Sequence, residues 1–229
     1  MSEAVVPNHL GVILDGNRRW AKAHKVPLLE GHRQGYLTLK EITKAAFNRG
    51  VSVVSAYVFS TENWNRTPKE VKYLMNLALQ VMTEEIDELH REGIKIVWVG
   101  TAERLSNKLQ KAIRAAVELT KNNSRGTLAL CFNYGGHQEI IDAANTLQRH
   151  GATQKLTEAA FAQALYAPEI PPIDLLIRTS GEQRLSGFML WRAAYAELYF
   201  SDKYWPDFSE ADLDAALQDY AGRQRRFGS

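Results

Sequence analysis

One cysteine in 229 residues excludes an intrachain disulfide. Cys131 sits inside the apolar run Leu128-Ala129-Leu130-Cys131-Phe132, where it reads as a buried strand thiol suited to a reducing cytosol. No apolar run approaches the about 20 residues that a membrane-spanning helix needs. Residues 1–7 lack the basic start and apolar stretch of a signal peptide. The expectation is therefore a soluble, cytoplasmic protein. Neither charge sign dominates, with 28 basic against 26 acidic residues, which argues against a long polyanion such as nucleic acid while leaving local basic clusters free to hold small anions. Internal repeats, low-complexity tracts and Gly/Ser linkers are also missing, so residues 1–229 are read as one domain.

What is present alternates. Short β-branched apolar segments at residues 11–14, 51–59, 94–99, 128–133, 174–178 and 197–200 read as strands. Helical patterns fall between them at 33–49, 103–121, 136–150 and 209–226. This order predicts an α/β fold with a central, mainly parallel six-stranded sheet flanked by helices. The longest helix is expected over 68–89, with Pro68 in its first turn. Its apolar face is unusually wide, running through Val71, Leu74, Met75, Ala78, Met82, Ile86 and Leu89 and broadened by Leu77, Leu79 and Val81. Packing on the sheet accounts for such a face. The three prolines within 166–173 mark a rigid turn before a strand.

Three segments carry chemistry. In the first, the strand at 11–14 ends in Asp15-Gly16-Asn17-Arg18-Arg19-Trp20 before a helix. A helix start with free N–H groups and arginines beside it suits a diphosphate. A carboxylate there is repelled unless a hard cation such as Mg²⁺ bridges the two, although Asp15 also fits a plain helix cap. In the second, Ser60-Thr61-Glu62-Asn63-Trp64-Asn65-Arg66 follows a strand and reads either as a ligand loop or as a turn covering the core. In the third, Arg178 leaves a buried strand into a loop with Arg184 and Ser186, a set that suits another diphosphate or a pair of surface salt bridges.

Together, Leu14-Asp15-Gly16-Asn17-Arg18-Arg19-Trp20-Ala21-Lys22, Gly31-His32, Phe59-Ser60-Thr61-Glu62-Asn63-Trp64, Asn133-Tyr134-Gly135-Gly136, Ile177-Arg178-Thr179-Ser180-Gly181-Glu182 and Ala196-Glu197-Leu198-Tyr199-Phe200 resemble the successive motifs of the undecaprenyl diphosphate synthases, a cis-prenyltransferase family. The match runs along nearly the whole chain. The resemblance implies the family's α/β fold, a homodimer, a Mg²⁺ requirement, and condensation of isopentenyl diphosphate in cis onto an allylic diphosphate, farnesyl diphosphate by expectation. The product would be a polyprenyl diphosphate lipid carrier for cell-wall glycan synthesis, released by transient contact with a membrane.

The same resemblance assigns roles. Asp15 is the essential acid and metal ligand, and Glu197 completes the metal site, by expectation from the partner subunit. Gly16, Asn17, Arg18, Arg19, Trp20 and His32 bind the allylic substrate, while Arg178, Arg184, Leu185 and Ser186 hold isopentenyl diphosphate. Asn63 serves the proton-removal step as a relay or positioning group, with released diphosphate as the alternative acceptor, and Ser60, Thr61, Glu62, Trp64 and Arg66 surround it. The wide helix face gains a second reading as the wall of a dry tunnel. Leu28 departs from the pattern, since the family commonly has arginine there. Two rivals, a noncatalytic subunit of a heteromeric prenyltransferase and a nucleic-acid binder, are disfavoured by the intact motifs and by the balanced charge.

Overall fold

Segments dominated by Val, Leu and Ile on both faces build a sheet that is buried on both sides, as all-parallel sheets are. The computed structural model describes residues 5–149 and 156–223. Its strands are β1 (His9–Ile13), β2 (Val53–Ser60), β3 (Ile94–Val99), β4 (Gly126–Tyr134), β5 (Leu175–Arg178) and β6 (Glu197–Phe200). They lie in the order β3-β4-β2-β1-β5-β6, with every neighbouring pair parallel. From β1 the chain builds outward on one side through β2 and β4, and later returns to the other side with β5 and β6. A crevice beyond the carboxyl ends of β1 and β5 follows, where open α/β sheets bind ligands.

Alternation along each strand sorts side chains to two cores. Leu10, Val12, Val54, Leu128, Leu130, Leu175 and Ile177 face α2 (Leu28–Asn48), α4 (Ile86–Arg91) and α8 (Glu210–Gly222). Ile13, Ala129, Cys131 and Leu176 face the opposite core with Ile170, Ile173, Phe188 and Met189. A third cluster sets Phe59 and Phe132 against α5 (Asn107–Thr120) and α3 (Pro68–Gln80). The fold also includes α1 (Asn17–Ala23), α6 (Gly136–Arg149) and α7 (Glu158–Ala164). Among the described residues no helix is long and apolar enough to cross a membrane.

Helix limits change more than strand limits, and α5 begins at Asn107 rather than at 103 because Ser106 caps it. α2 begins at Leu28 rather than at 33, because the low helix propensity of Gly31 and Gly35 is overridden by the contact they make with α1. The helix expected over 68–89 is divided by one π-helical turn, Val81–Glu85, before α4. That wider turn leaves backbone carbonyls without their usual partners, and the Thr83 hydroxyl donates to the Leu79 carbonyl at 2.9 Å. The end of the helix expected at 136–150 lies outside the described residues, and the helix expected at 209–226 ends at Gly222, where Arg223 turns to extended backbone.

At the start of β1, His9 is fully buried. Its Nδ1 faces the carbonyls of Pro171 (2.8 Å) and Pro172 (3.2 Å), acceptors only, so Nδ1 carries the proton and Nε2 accepts from the Ser55 hydroxyl at 2.7 Å. Burial pushes its pKa down to about 4. A histidine whose folded pKa lies below its unfolded value contributes stability above pH 6.5 that is lost as the pH falls toward 4, a loss of roughly 3 kcal/mol here. The stability of His9→Asn, which cannot titrate, is expected to fall less steeply across that window in chemical denaturation. Parallel curves for the two proteins would contradict this account.

Candidate active site

Asp15 lies two residues beyond the end of β1, and Gly16 then takes φ 109°, a left-handed conformation open to glycine at little cost. A Cβ at Gly16 would lie 2.9 Å from the Ser180 hydroxyl oxygen. The turn feeds α1, whose first residues Asn17, Arg18 and Arg19 overhang the crevice. Positive φ recurs in the loop after β5 at Ser180, Gly181, Ser186 and Gly187, and is strained at the two serines. Such outliers persist only where surrounding contacts over-determine them, as at ligand sites.

Asp15 organises the mouth. Its carboxylate accepts from Arg178 at 2.8 Å and from Arg19 at 3.2 Å. Arg178 also donates to the Ser186 hydroxyl at 2.8 Å and to the carbonyl of Arg184. Arg19 reaches Glu182 at 2.9 Å and the Ser180 carbonyl at 3.2 Å. Although Arg178 is buried, its Nε has no hydrogen-bond partner, and the buried Ser180 hydroxyl oxygen has none either. Buried polar atoms without partners are costly, and the Nε of Arg178, the residue paired with Asp15, fits a polar ligand with acceptor oxygens.

A second group gathers around Glu70 in the first turn of α3. Glu70, almost completely buried, accepts from Arg66 at 3.0 Å, contacts the His32 Nε2 at 3.0 Å and lies 3.8 Å from the Arg18 Nε. Against a carboxylate His32 Nε2 carries the proton. Burial first, then the neighbouring Arg66, lowers the His32 pKa despite the Glu70 bond, so the ring is neutral near pH 7. Glu70 did not stand out in the sequence. It occupies the N3 position after the cap Thr67, a pattern that signals a helix start and says nothing of burial.

Both groups open into one cavity of about 1150 Å³. Asp15, Gly16, Asn17, Arg18, Arg19, His32, Ser60, Glu62, Asn63, Arg66, Arg178 and Ser186 of the expected set line it, and so does Leu28. Below this mouth the lining turns apolar, with Leu39, Phe59, Leu74, Leu77, Ala78 and Met82. The wide face of α3 is thereby divided, since Met75 and Leu79 pack with the α5 cluster while Leu77 meets the cavity. Lys22, Tyr57 and His137 also line it and were not anticipated. Each comes from a separate element, and nothing in the sequence brings them together.

Other expected site residues stand apart from this cavity within the chain. Trp20 donates to Asp207 at 2.6 Å and stacks on His24. Trp64 donates to Asn133 at 2.8 Å, with the Arg104 guanidinium over its ring. Thr61 lies under Gly135, Arg184 pairs with Glu182, and Leu185 packs into the second core. The Asn63 side-chain oxygen accepts from the Ser60 N–H at 3.2 Å in a capping box, which leaves its NH₂ as the free end. Glu197 opens β6 in register with Leu175 and pairs with Arg223 at 2.8 Å, whereas Asp15 follows the opposite end of the neighbouring strands. Among the described residues no three His, Cys, Asp or Glu side chains form a cluster able to hold a metal by themselves.

A cationic mouth above an apolar body suits an amphiphilic anion, and comparison with known proteins decides the family. The family model for undecaprenyl diphosphate synthase matches residues 13–228. The chain belongs to that family. An isoprenyl transferase of Rickettsia bellii is 47% identical over 96% of this chain and 97% of its own. A trans,polycis-polyprenyl diphosphate synthase of Thermobifida fusca, (2Z,6E)-farnesyl diphosphate specific, is 46% identical over 98% of this chain and 81% of its own. Among solved structures, lavandulyl diphosphate synthase from Lavandula x intermedia, in complex with dimethylallyl diphosphate, superposes with a TM-score of 0.93 at 37% identity, covering 98% and 99% of the two chains. A probable undecaprenyl diphosphate synthase from Campylobacter jejuni gives a TM-score of 0.83 at 28% identity over the whole of both chains. The protein is a prenyltransferase of the single-domain α/β type.

In this prenyltransferase the mouth depends on the approach of α1 to α2. A Cβ at Gly31 would lie 2.2 Å from the Asn17 carbonyl oxygen, and one at Gly35 would lie 2.3 Å from the Asn17 side-chain oxygen. Gly31→Ala is expected to destabilise the protein by about 2 kcal/mol, since backbone must move, and to lower prenyl transfer with it. Gly222→Ala, where a Cβ meets nothing within 4 Å, is expected to change stability by less than about 1 kcal/mol. Equal denaturation midpoints for the two variants would remove this contact from the account.

Proposed function

We propose that this prenyltransferase condenses isopentenyl diphosphate in cis onto an allylic diphosphate, farnesyl diphosphate, to make a polyprenyl diphosphate carrier for cell-wall glycan synthesis. One observation carries the reading, the union of a guanidinium-rich mouth around Asp15 with an apolar cavity lined by α2, α3 and the sheet. The farnesyl specificity of the Thermobifida fusca relative supports the primer. Arg18, Arg19 and the start of α1 hold the allylic one, and Arg178 with Ser186 holds isopentenyl diphosphate. The free Nε of Arg178, a residue that lines the cavity, is a donor suited to phosphate oxygens. The hydrocarbon enters the apolar body, which excludes water from the reacting carbon.

The donor set fits Mg²⁺. Asp15 is a single, partly exposed carboxylate among diphosphate-binding groups, and Mg²⁺ favours one or two carboxylates with phosphate oxygens and water over an all-protein cage. Asp15 would hold the ion and Glu197 of the partner subunit would complete the site in a homodimer. When bound, Mg²⁺ would stabilise charge on the departing diphosphate. Asn63, its oxygen engaged by Ser60, presents an NH₂ donor and so acts as a positioning group, with released diphosphate taking the proton. The cytoplasm, with transient membrane contact for product release, is the proposed setting.

Asp15→Ala is expected to lower incorporation of radiolabelled isopentenyl diphosphate at least about 10²-fold without unfolding the protein. Asp15→Asn keeps an acceptor for Arg178, and the same loss there would separate lost charge from lost structure. Near-normal turnover in Asp15→Asn would overturn the metal role.

Leu28 lines the cavity at the first residue of α2, with Lys22 on its rim. Leu28→Arg is expected to lower the primer KM about 5-fold, the scale of one partly exposed charge-assisted contact, with little change for isopentenyl diphosphate. An unchanged primer KM would mean that this position does not face the allylic diphosphate.

A further inference from the structure

His137 lines the cavity and has no part yet in the proposed reaction. It is the second residue of α6, and its side chain is exposed. Backbone contacts fix its place. The Gly136 N–H donates to the Gly187 carbonyl at 3.0 Å, and a Cβ at Gly136 would lie 2.2 Å from that same oxygen. On the other side, a Cβ at Gly135 would lie 2.6 Å from the Thr61 hydroxyl oxygen. The start of α6 is thus wedged between the loop after β5, which carries Ser186, and the 3₁₀ turn Thr61–Asn65, which carries Asn63.

A buried ion pair holds the wedge. Glu139, in the first turn of α6, accepts from Arg192 at 2.9 Å and from the Tyr134 hydroxyl. All three side chains are buried, and Arg192 also donates to the carbonyls of Tyr166, Ala167 and Ile170. Parting such a pair would leave a buried charge alone, so α6 keeps its position. From β2, the Tyr57 hydroxyl donates to the Ser186 carbonyl at 3.3 Å, and its ring stacks on Phe188. Within this frame two donors are left over. Among the described residues His137 has no hydrogen-bond or ion-pair partner. The buried Arg178 Nε, on the same cavity, has none either. Arg178 donates to the Ser186 hydroxyl at 2.8 Å, and the next residue, Gly187, is the one bound to α6, so a ligand held by Arg178 and Ser186 lies beside His137.

We propose that His137 is a binding residue for isopentenyl diphosphate, donating from its imidazole to the diphosphate held by Arg178 and Ser186. This rests on the proposed reaction and adds to it a contact with one of the two substrates. An imidazole offers an N–H in either tautomer and two when protonated, so it can serve a phosphate oxygen in each state. The ionised acceptor strengthens the bond. The contact is made with bound substrate before carbon moves, so its loss belongs in KM rather than in kcat.

Kinetics and calorimetry test it together. His137→Ala is expected to raise the KM for isopentenyl diphosphate about 10-fold, the scale of one charge-assisted contact, with kcat and the primer KM changed less than about 2-fold. In titration calorimetry with Mg²⁺ and no primer, its Kd for isopentenyl diphosphate is expected to weaken by the same factor. His137→Arg, which keeps a donor on the side chain, is expected to recover most of the loss. A merely structural role would lower the denaturation midpoint and move both substrates alike. Unchanged KM and Kd in folded His137→Ala would overturn the contact, and so would a rise confined to the primer KM. A wild-type protein that binds isopentenyl diphosphate but incorporates no label would sink the proposed reaction, while the titration of the variants would still decide the contact. A wild-type protein that binds none would sink both.

Discussion

The pairing of Asp15 with Arg178 joins the ends of two neighbouring parallel strands, and much of the site is arranged around it. Their carboxylate and guanidinium meet at 2.8 Å because β1 and β5 lie side by side with Ile13 level with Arg178. Arg19 reaches the same carboxylate only because Gly16 turns the chain directly into α1. Arg178 is buried, so it needs a partner, and a buried charge left alone is far more costly than a surface one. The sheet order that brings β5 next to β1 thus determines where the charged mouth of the cavity can be.

Glu70 plays a comparable part on the opposite wall. One buried carboxylate gathers Arg66, His32 and Arg18, three donors from three separate elements. Taking Glu70 out of water is tolerable because these partners satisfy it, and they are held toward the cavity in return. The result is a ring of donors above an apolar body, with the neutral His32 acting through its geometry rather than its charge. Trp20 and Trp64 serve the edges of this arrangement, fixing α1 to Asp207 and the loop after β2 to Asn133.

The same economy governs the long helix. Its wide apolar face satisfies two demands, packing on α5 and walling the cavity, and the π-helical turn lets one continuous stretch meet both. A regular helix over 68–89 would keep a single stripe in register with a single neighbour. The inserted turn shifts the register and brings Glu85 within reach of α2.

By itself the sequence determined the alternation of strands and helices, the parallel sheet and the three charged segments at strand ends, because periodicity, turn residues and binary pattern are local properties. Strand limits moved by one or two residues, whereas the start of α2 and the break in the long helix followed from contacts between elements. The resemblance of motifs spaced along nearly the whole chain carried the family, since their order is written in the sequence. Only the tertiary structure decided which motif residues share one cavity. Asp15, Arg18, Arg19, Asn63, Arg66 and Arg178 converge there, while Trp20, Trp64 and Glu197 turn to other partners within the chain. It alone brought in Glu70, Lys22, Tyr57 and His137. A side chain's burial and its partners across the fold depend on strand order and helix crossing, and no local pattern in the sequence encodes those.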